Sequence, residues 1–153
     1  ACARFSARLL CLSDELGAQF LAAKIGEPSQ FRTVTLGVDL TPFEADETPA
    51  RKSVRAELNL DKNAILIGQI SRLAPVKNAK ATLEAAKILE NQFPNAHFVF
   101  VGDGESRARL GQLAGELGLQ NRAHFLGIRA DIARLNLAFD CVVLPSFQEG
   151  TPV

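Results

Sequence analysis

The chain has 153 residues, 47% hydrophobic and 22% charged, and its 17 Lys and Arg balance its 17 Asp and Glu. That is enough apolar residue for one sizeable core, which argues against a disordered chain. The zero balance argues against nucleic acid or an acidic lipid surface as the main partner, while leaving room for a local basic pocket.

No apolar run approaches the about 18 to 20 residues of a membrane span. Arg4 and Arg8 interrupt the small-residue start, so no signal peptide core is present. The three cysteines, Cys2, Cys11 and Cys141, show no metal-binding spacing. Cys11 and Cys141 lie in strand-like runs and read as buried, reduced thiols of a cytoplasmic protein. The absence of Met, even at position 1, and the loop that ends at Val153 lead us to expect part of a longer protein.

In chain order, residues 8–12 read as a strand, and Ser13-Asp14-Glu15 as a helix start whose face is Leu16, Phe20 and Ala23. Residues 31–36 read as a second strand and 37–48 as a linker. Pro49, at a first helical position, opens a short helix to Leu58. From there strands and helices alternate: strand 65–70, helix 79–91, strand 97–101, helix 107–117, strand 123–126, helix 131–139 and a buried strand 141–144. Leu110, Leu113, Ala114 and Leu117 share one helical face, Gly118 fits a C-terminal cap and Asp131 an N-cap. Continuous apolar strands separated by helices imply an α/β, Rossmann-like, doubly wound parallel sheet. The expected organisation is 1–36 as the tail of a preceding Rossmann-like domain, 37–60 as hinge, and 61–153 as a second such domain, with the boundary near 37–45.

Three loops could carry chemistry. Residues 68–78 leave a strand and enter a helix N-terminus, where Arg72 offers a planar fork and Lys77 a mobile point charge. A single such cation is ordinarily a solvated surface group; two in one strand-to-helix loop suit a diphosphate. Residues 101–105, with Gly102 and Gly104 around Asp103, allow close approach of a ligand or simply make a tight turn. Residues 145–153 follow the last strand and carry Ser146 and Glu149. In a doubly wound sheet the first three strands add in one direction and the fourth crosses to the other side of the first. The first and last of these loops then flank the switch-point crevice, and a cation pair with a carboxylate there suits a nucleotide sugar. His97 and His124 begin their strands and so face the opposite edge, where a structural role is expected. No nucleophile–base pair and no metal spacing stands out.

The ordered set Gly37-Val38-Asp39 with Phe43, Arg72-x4-Lys77, Val101-Gly102-Asp103-Gly104, Phe125-Leu126-Gly127, and Asp140 leading to Pro145-Ser146-x-x-Glu149-Gly150 resembles the GT-B glycosyltransferases of the group 1 (family 4) type. The resemblance implies two Rossmann-like domains, of which this chain would supply the tail of the acceptor-side domain and an incomplete nucleotide-sugar domain. It implies that Arg72 and Lys77 hold the donor diphosphate and that Glu149 contacts the donor sugar. It also implies that Gly127, Ile128 and Arg129 lie near the base, and that Gly150, Thr151 and Val153 approach sugar and phosphate. Such enzymes retain anomeric configuration and generally need no metal or other cofactor. The expected partners are a nucleotide sugar and a carbohydrate or lipid-linked acceptor, with no nucleic acid and with membrane contact at most peripheral. The isolated chain is expected to be inactive and poorly stable. A non-catalytic nucleotide-binding module is the alternative. A dinucleotide-dependent dehydrogenase is disfavoured because cations stand where its glycines are required.

Overall fold

The structure is a computed structural model describing residues 2–34 and 37–149. It divides into two compact units, one taking the described residues through Asp39 together with Glu149, the other Leu40–Gln148.

In the first unit, β1 (Leu9–Cys11) and β2 (Phe31–Thr33) pair in parallel, with Leu9 opposite Phe31. They flank α1 (Asp14–Ala22), whose start is fixed as its sequence predicts: the Ser13 hydroxyl accepts the Leu16 N–H at 3.2 Å. Gly17 lets the helix approach Phe31 and the buried Cys11, and the Phe20 and Phe31 rings stack with centroids 6.4 Å apart. β2 ends at Thr33, and the last two residues of the expected 31–36 strand lie outside the described residues.

The second unit opens with α2 (Glu47–Glu57). It starts two residues before Pro49, because the Asp46 carboxylate caps it by accepting the Thr48 N–H at 2.9 Å. Pro49 still falls in the first turn, where a missing N–H costs no helical bond. Then follow β3 (Ile65–Ile70), α3 (Ala79–Leu89), β4 (Ala96–Val101), α4 (Arg107–Glu116), β5 (Ala123–Gly127), α5 (Ile132–Ala138) and β6 (Cys141–Val142). The strands are parallel in the order β5-β4-β3-β6, so the last strand crosses to the far side of β3.

Each strand alternates between two cores. One face sends Ile65, Ile67, Phe98 and Phe100 against Leu83 and Ala86 of α3 and Leu110 and Ala114 of α4. Leu113 and Leu117 complete that face, and Gly118, at φ +74°, ends α4 as its sequence predicts. The other face sends Leu66, Val99 and Val101 against Val54 of α2 and Leu135, Ala138 and Phe139 at α5. Both faces are covered, which is why these strands read as continuous apolar runs.

β6 differs from its expectation. It spans two residues rather than four, and Cys141 and Val142 are both exposed. Among the described residues it is the edge strand of the four-stranded sheet, paired with β3 on one flank. An apolar run therefore marked the strand but not its burial.

Gly68 sits under α5: a Cβ there would lie 2.2 Å from carbons of the Phe139 ring, and that ring is buried. Gly68→Ala must push the ring or the strand aside, with an expected loss of about 1–3 kcal/mol in urea unfolding. An unchanged unfolding midpoint would contradict this packing.

Candidate functional site

The carboxyl ends of β3, β4, β5 and β6 carry the candidate loops, and main-chain hydrogen bonds tie those loops into one rim. The Leu73 N–H donates to the Asp103 carbonyl and the Ser106 N–H to the Leu73 carbonyl, both at 2.9 Å. The Gly102 N–H donates to the Gly127 carbonyl at 2.7 Å. On the other side the Phe147 N–H donates to the Val76 carbonyl at 2.9 Å, and the Asn78 amide to the Pro145 carbonyl at 3.2 Å. The loops after β3 and β6 thus meet at the switch point, as the strand order requires. A concave pocket beside them is lined by Pro75 and Asn78 of the first loop, by Ala79 and Glu84 of α3, by Ser106 and Leu110 at α4, and by Phe147; neither Arg72 nor Lys77 lines it.

The loop after β3 is not the plain helix entry its sequence implies. Pro75–Lys77 form a 3-10 turn, and Asn78 follows at φ 51°, ψ 38° before α3 begins. Asn tolerates this left-handed conformation better than other side-chain-bearing residues, so it can stand where glycine is the usual choice. Lys77 is half-buried on this turn. Arg72 is exposed, and its guanidinium meets the Glu105 carboxylate at 3.0 Å. Glu105 lies below the usual carboxylate range, held there by its own backbone N–H first and by Arg72 second. An exposed pair of this kind contributes little stability, so it costs little to break.

Gly102 and Gly104 are accounted for by the protein itself. Gly102 has φ +123°, and a Cβ there would lie 2.1 Å from the Ser71 carbonyl oxygen. At Gly104 it would lie 2.6 Å from the Leu73 carbonyl oxygen. The tight-turn reading of this segment therefore has a structural basis, the close approach of the neighbouring loop.

Beyond β5, Ile128 is exposed while Arg129 is engaged. Arg129 pairs with Glu57 at 2.6 Å and with Asp131 at 2.8 Å, and Arg134 meets the same two carboxylates. These guanidinium groups hold the Asp131 carboxyl well below the usual range, Arg129 contributing most. Asp131 is the residue before α5, but its side chain makes no cap; the two arginines take it instead. The network joins α2 to α5, a role the sequence pattern did not reveal.

The sequence pattern also did not reveal two buried polar clusters. Arg55, 5% exposed, donates to the Ala64 and Ala138 carbonyls and to Asp140 at 2.8 Å. Asp140 also accepts the Leu66 N–H at 2.8 Å and pairs with Arg51. Burial opposes the Asp140 charge, yet these donors leave its carboxyl below the usual range. The second cluster surrounds Gln69, a single polar residue in the run Ile65–Ile70, and that isolation was the available signal.

Glu149 is exposed and groups with the first unit, whereas Arg72 and Lys77 belong to the second. Gly150, Thr151 and Val153 lie outside the described residues. Among the described residues no group of three or more His, Cys, Asp or Glu is arranged to hold a metal ion, and no helix is long and apolar enough to cross a membrane.

Residues 50–153 match the family model described as glycosyl transferases group 1, and the chain belongs to that family. It is 34% identical over 154 residues to the UDP-Gal:alpha-D-GlcNAc-diphosphoundecaprenol alpha-1,3-galactosyltransferase of Escherichia coli, covering 99% of this chain and 40% of that protein. It is 32% identical over 150 residues to a D-inositol 3-phosphate glycosyltransferase of Mycolicibacterium gilvum, covering 94% of this chain and 32% of the relative. The chain thus spans well under half the length of these relatives. Its fold superposes on the crystal structure of Anabaena HepE in complex with UDP-glucose with a TM-score of 0.86 and 28% identity, over 97% of this chain and 41% of that one. The α/β class expected from the sequence is therefore that of GT-B glycosyltransferases.

The two histidines lie where expected, at the amino ends of adjacent strands, and they touch: His97 Nδ1 and His124 Nε2 are 3.1 Å apart. Burial lowers both imidazoles from their ordinary value, assisted at His97 by Arg122 and at His124 by His97. Because both folded values are depressed, this stabilisation is complete above the unfolded value of about 6.5 and is lost as pH falls through the folded values. Urea midpoints should fall between about pH 7.5 and about pH 5.5, and replacing both rings by Gln should flatten that slope. A slope unchanged in the double variant would locate the titration elsewhere.

Proposed function

We propose that the protein transfers a sugar from a nucleotide-sugar donor and that this chain carries the donor-diphosphate end of the site. The observation that carries the reading is the hydrogen-bonded meeting of the loops after β3 and β6 at the switch point, beside a loop bearing two cations. Membership of the family supports it, as does the HepE structure, whose complex contains UDP-glucose.

In this reading Arg72 leaves Glu105 for the diphosphate, and Lys77 supplies the second positive charge. As the bond between the sugar C1 and the diphosphate oxygen breaks, negative charge grows on the leaving group. Two fixed cations near it stabilise that charge more than they stabilise the bound donor, which is what lowers a barrier. No metal or other cofactor is invoked. The acceptor oxygen bonds to C1, and its proton leaves to the departing diphosphate or to water. By the family resemblance the new bond forms on the face the diphosphate left, with retained configuration. On the same basis Glu149 contacts the donor sugar, with Gly150, Thr151 and Val153 beside sugar and phosphate. Gly127, Ile128 and Arg129 then lie near the base, and the turn at Gly102 and Gly104 allows close approach of the ligand. The acceptor is a carbohydrate or a lipid-linked carbohydrate, as in the E. coli relative, whose name specifies a diphosphoundecaprenol substrate.

A charge-assisted contact contributes about 1.5–3 kcal/mol. Lys77→Ala in the full-length protein should therefore weaken UDP binding about ten- to hundredfold in calorimetry. Unchanged affinity would remove the diphosphate role from Lys77.

A further inference from the structure

Gln69 is the one polar side chain that β3 buries against α3, at 1% exposure. Its strand neighbours on that face are Ile65 and Ile67, and its partner across the sheet is Phe100. An amide at such a position costs free energy unless every hydrogen bond is made. Here the bonds are made to particular places. Gln69 Nε2 donates to the Lys77 carbonyl at 3.0 Å, with the Ser71 hydroxyl 3.4 Å away. Its Oε1 accepts from the Thr82 hydroxyl at 2.7 Å, and Thr82, on α3, is itself 6% exposed. The amide therefore ties the end of β3, the 3-10 turn and α3 to one another. The turn is held on its other side by Asn78 and Val76, which bond the loop after β6.

A leucine at position 69 would fill similar volume with no hydrogen bond to satisfy. It would also leave the Lys77 carbonyl without its anchor, in a 3-10 turn that ends in a left-handed residue. We propose that Gln69, oriented by Thr82, is a positioning pair for donor binding: it fixes the backbone at Lys77 so that the ammonium group is presented to the diphosphate. This rests on the diphosphate role given to Lys77 above. Neither residue touches the ligand; both act through the turn. Because a charge held in place binds better than one that must first be ordered, the effect is felt in affinity rather than in folding.

The test is a double-mutant cycle on UDP affinity in the full-length protein, with thermal melting measured alongside. Gln69→Leu is expected to weaken UDP binding about five- to twentyfold, as befits loss of the hydrogen bond to the Lys77 carbonyl and of its ordering effect. Its melting temperature should stay within a few degrees of the parent. In a Lys77→Ala background the same substitution should change affinity by less than about twofold, because the group being positioned is gone. Thr82→Val should reproduce part of the loss and Thr82→Ser should retain parental affinity. Should Gln69→Leu fail to fold, the Thr82→Val and Thr82→Ser pair decides on the same two readouts. A lowered melting temperature with unchanged UDP affinity would overturn the positioning role, as would equal effects of Gln69→Leu with and without Lys77. If Lys77→Ala itself leaves UDP affinity unchanged, the diphosphate reading falls and this inference with it. If Lys77→Ala weakens binding and neither Gln69→Leu nor Thr82→Val does, only the positioning pair is lost.

Discussion

β3 is the strand on which the rest of the larger unit depends. It is paired in parallel with β4 from Ile65 to Ile70 and, on its other side, with β6 at Ile67 and Gly68, so it is the strand that joins the two halves of the sheet. Parallel neighbours require crossovers that cover both faces, and those crossovers leave in opposite directions from a central strand. The loops on either side of β3 must then part at its carboxyl end, and the opening between them is where an open α/β sheet receives a ligand. The location of the site is in this sense a consequence of strand order before any particular side chain is considered.

What the side chains add is rigidity at both ends of β3. At the amino end, Asp140 accepts from Leu66 and from buried Arg55, which fastens α2 and the start of β6 to the strand. A buried guanidinium is tolerable only with its donors occupied, and Arg55 occupies them on three carbonyls and a carboxylate. At the carboxyl end, Gln69 does the equivalent with a neutral amide. The Arg72–Glu105 pair belongs to a different regime. It is exposed, so solvent screens it and it contributes little to stability.

The strand and helix runs of the larger unit were legible because burial on two faces writes itself as continuous apolar sequence. Strand 65–70 and the α4 face of Leu110, Leu113, Ala114 and Leu117 were readable for that reason. The crossing of β6 was readable too, since few connections satisfy the handedness of parallel crossovers. The exposure of Cys141 was not, because an apolar pair reads alike at a sheet centre and at its edge. Nor was the start of α2: Pro49 read as its opening residue, and only the hydrogen bond from the Thr48 N–H to Asp46 places the start two residues earlier. The Arg129 network was illegible as well, since Glu57 is separated from Asp131 along the chain and joined to it only through arginines.

By itself the sequence determined the class of fold, the order of its strands, and which loops hold cations, glycines and a carboxylate. These follow from local periodicity and from chirality, which act over a few residues at a time. Only the tertiary structure decided that Gly102 is required by the Ser71 carbonyl, that Arg72 rests on Glu105, and that Gln69 anchors the Lys77 turn. Hydrogen bonds and close contacts of that kind act over about 3 Å in space, and nothing in the linear order of residues says which distant groups will come that near.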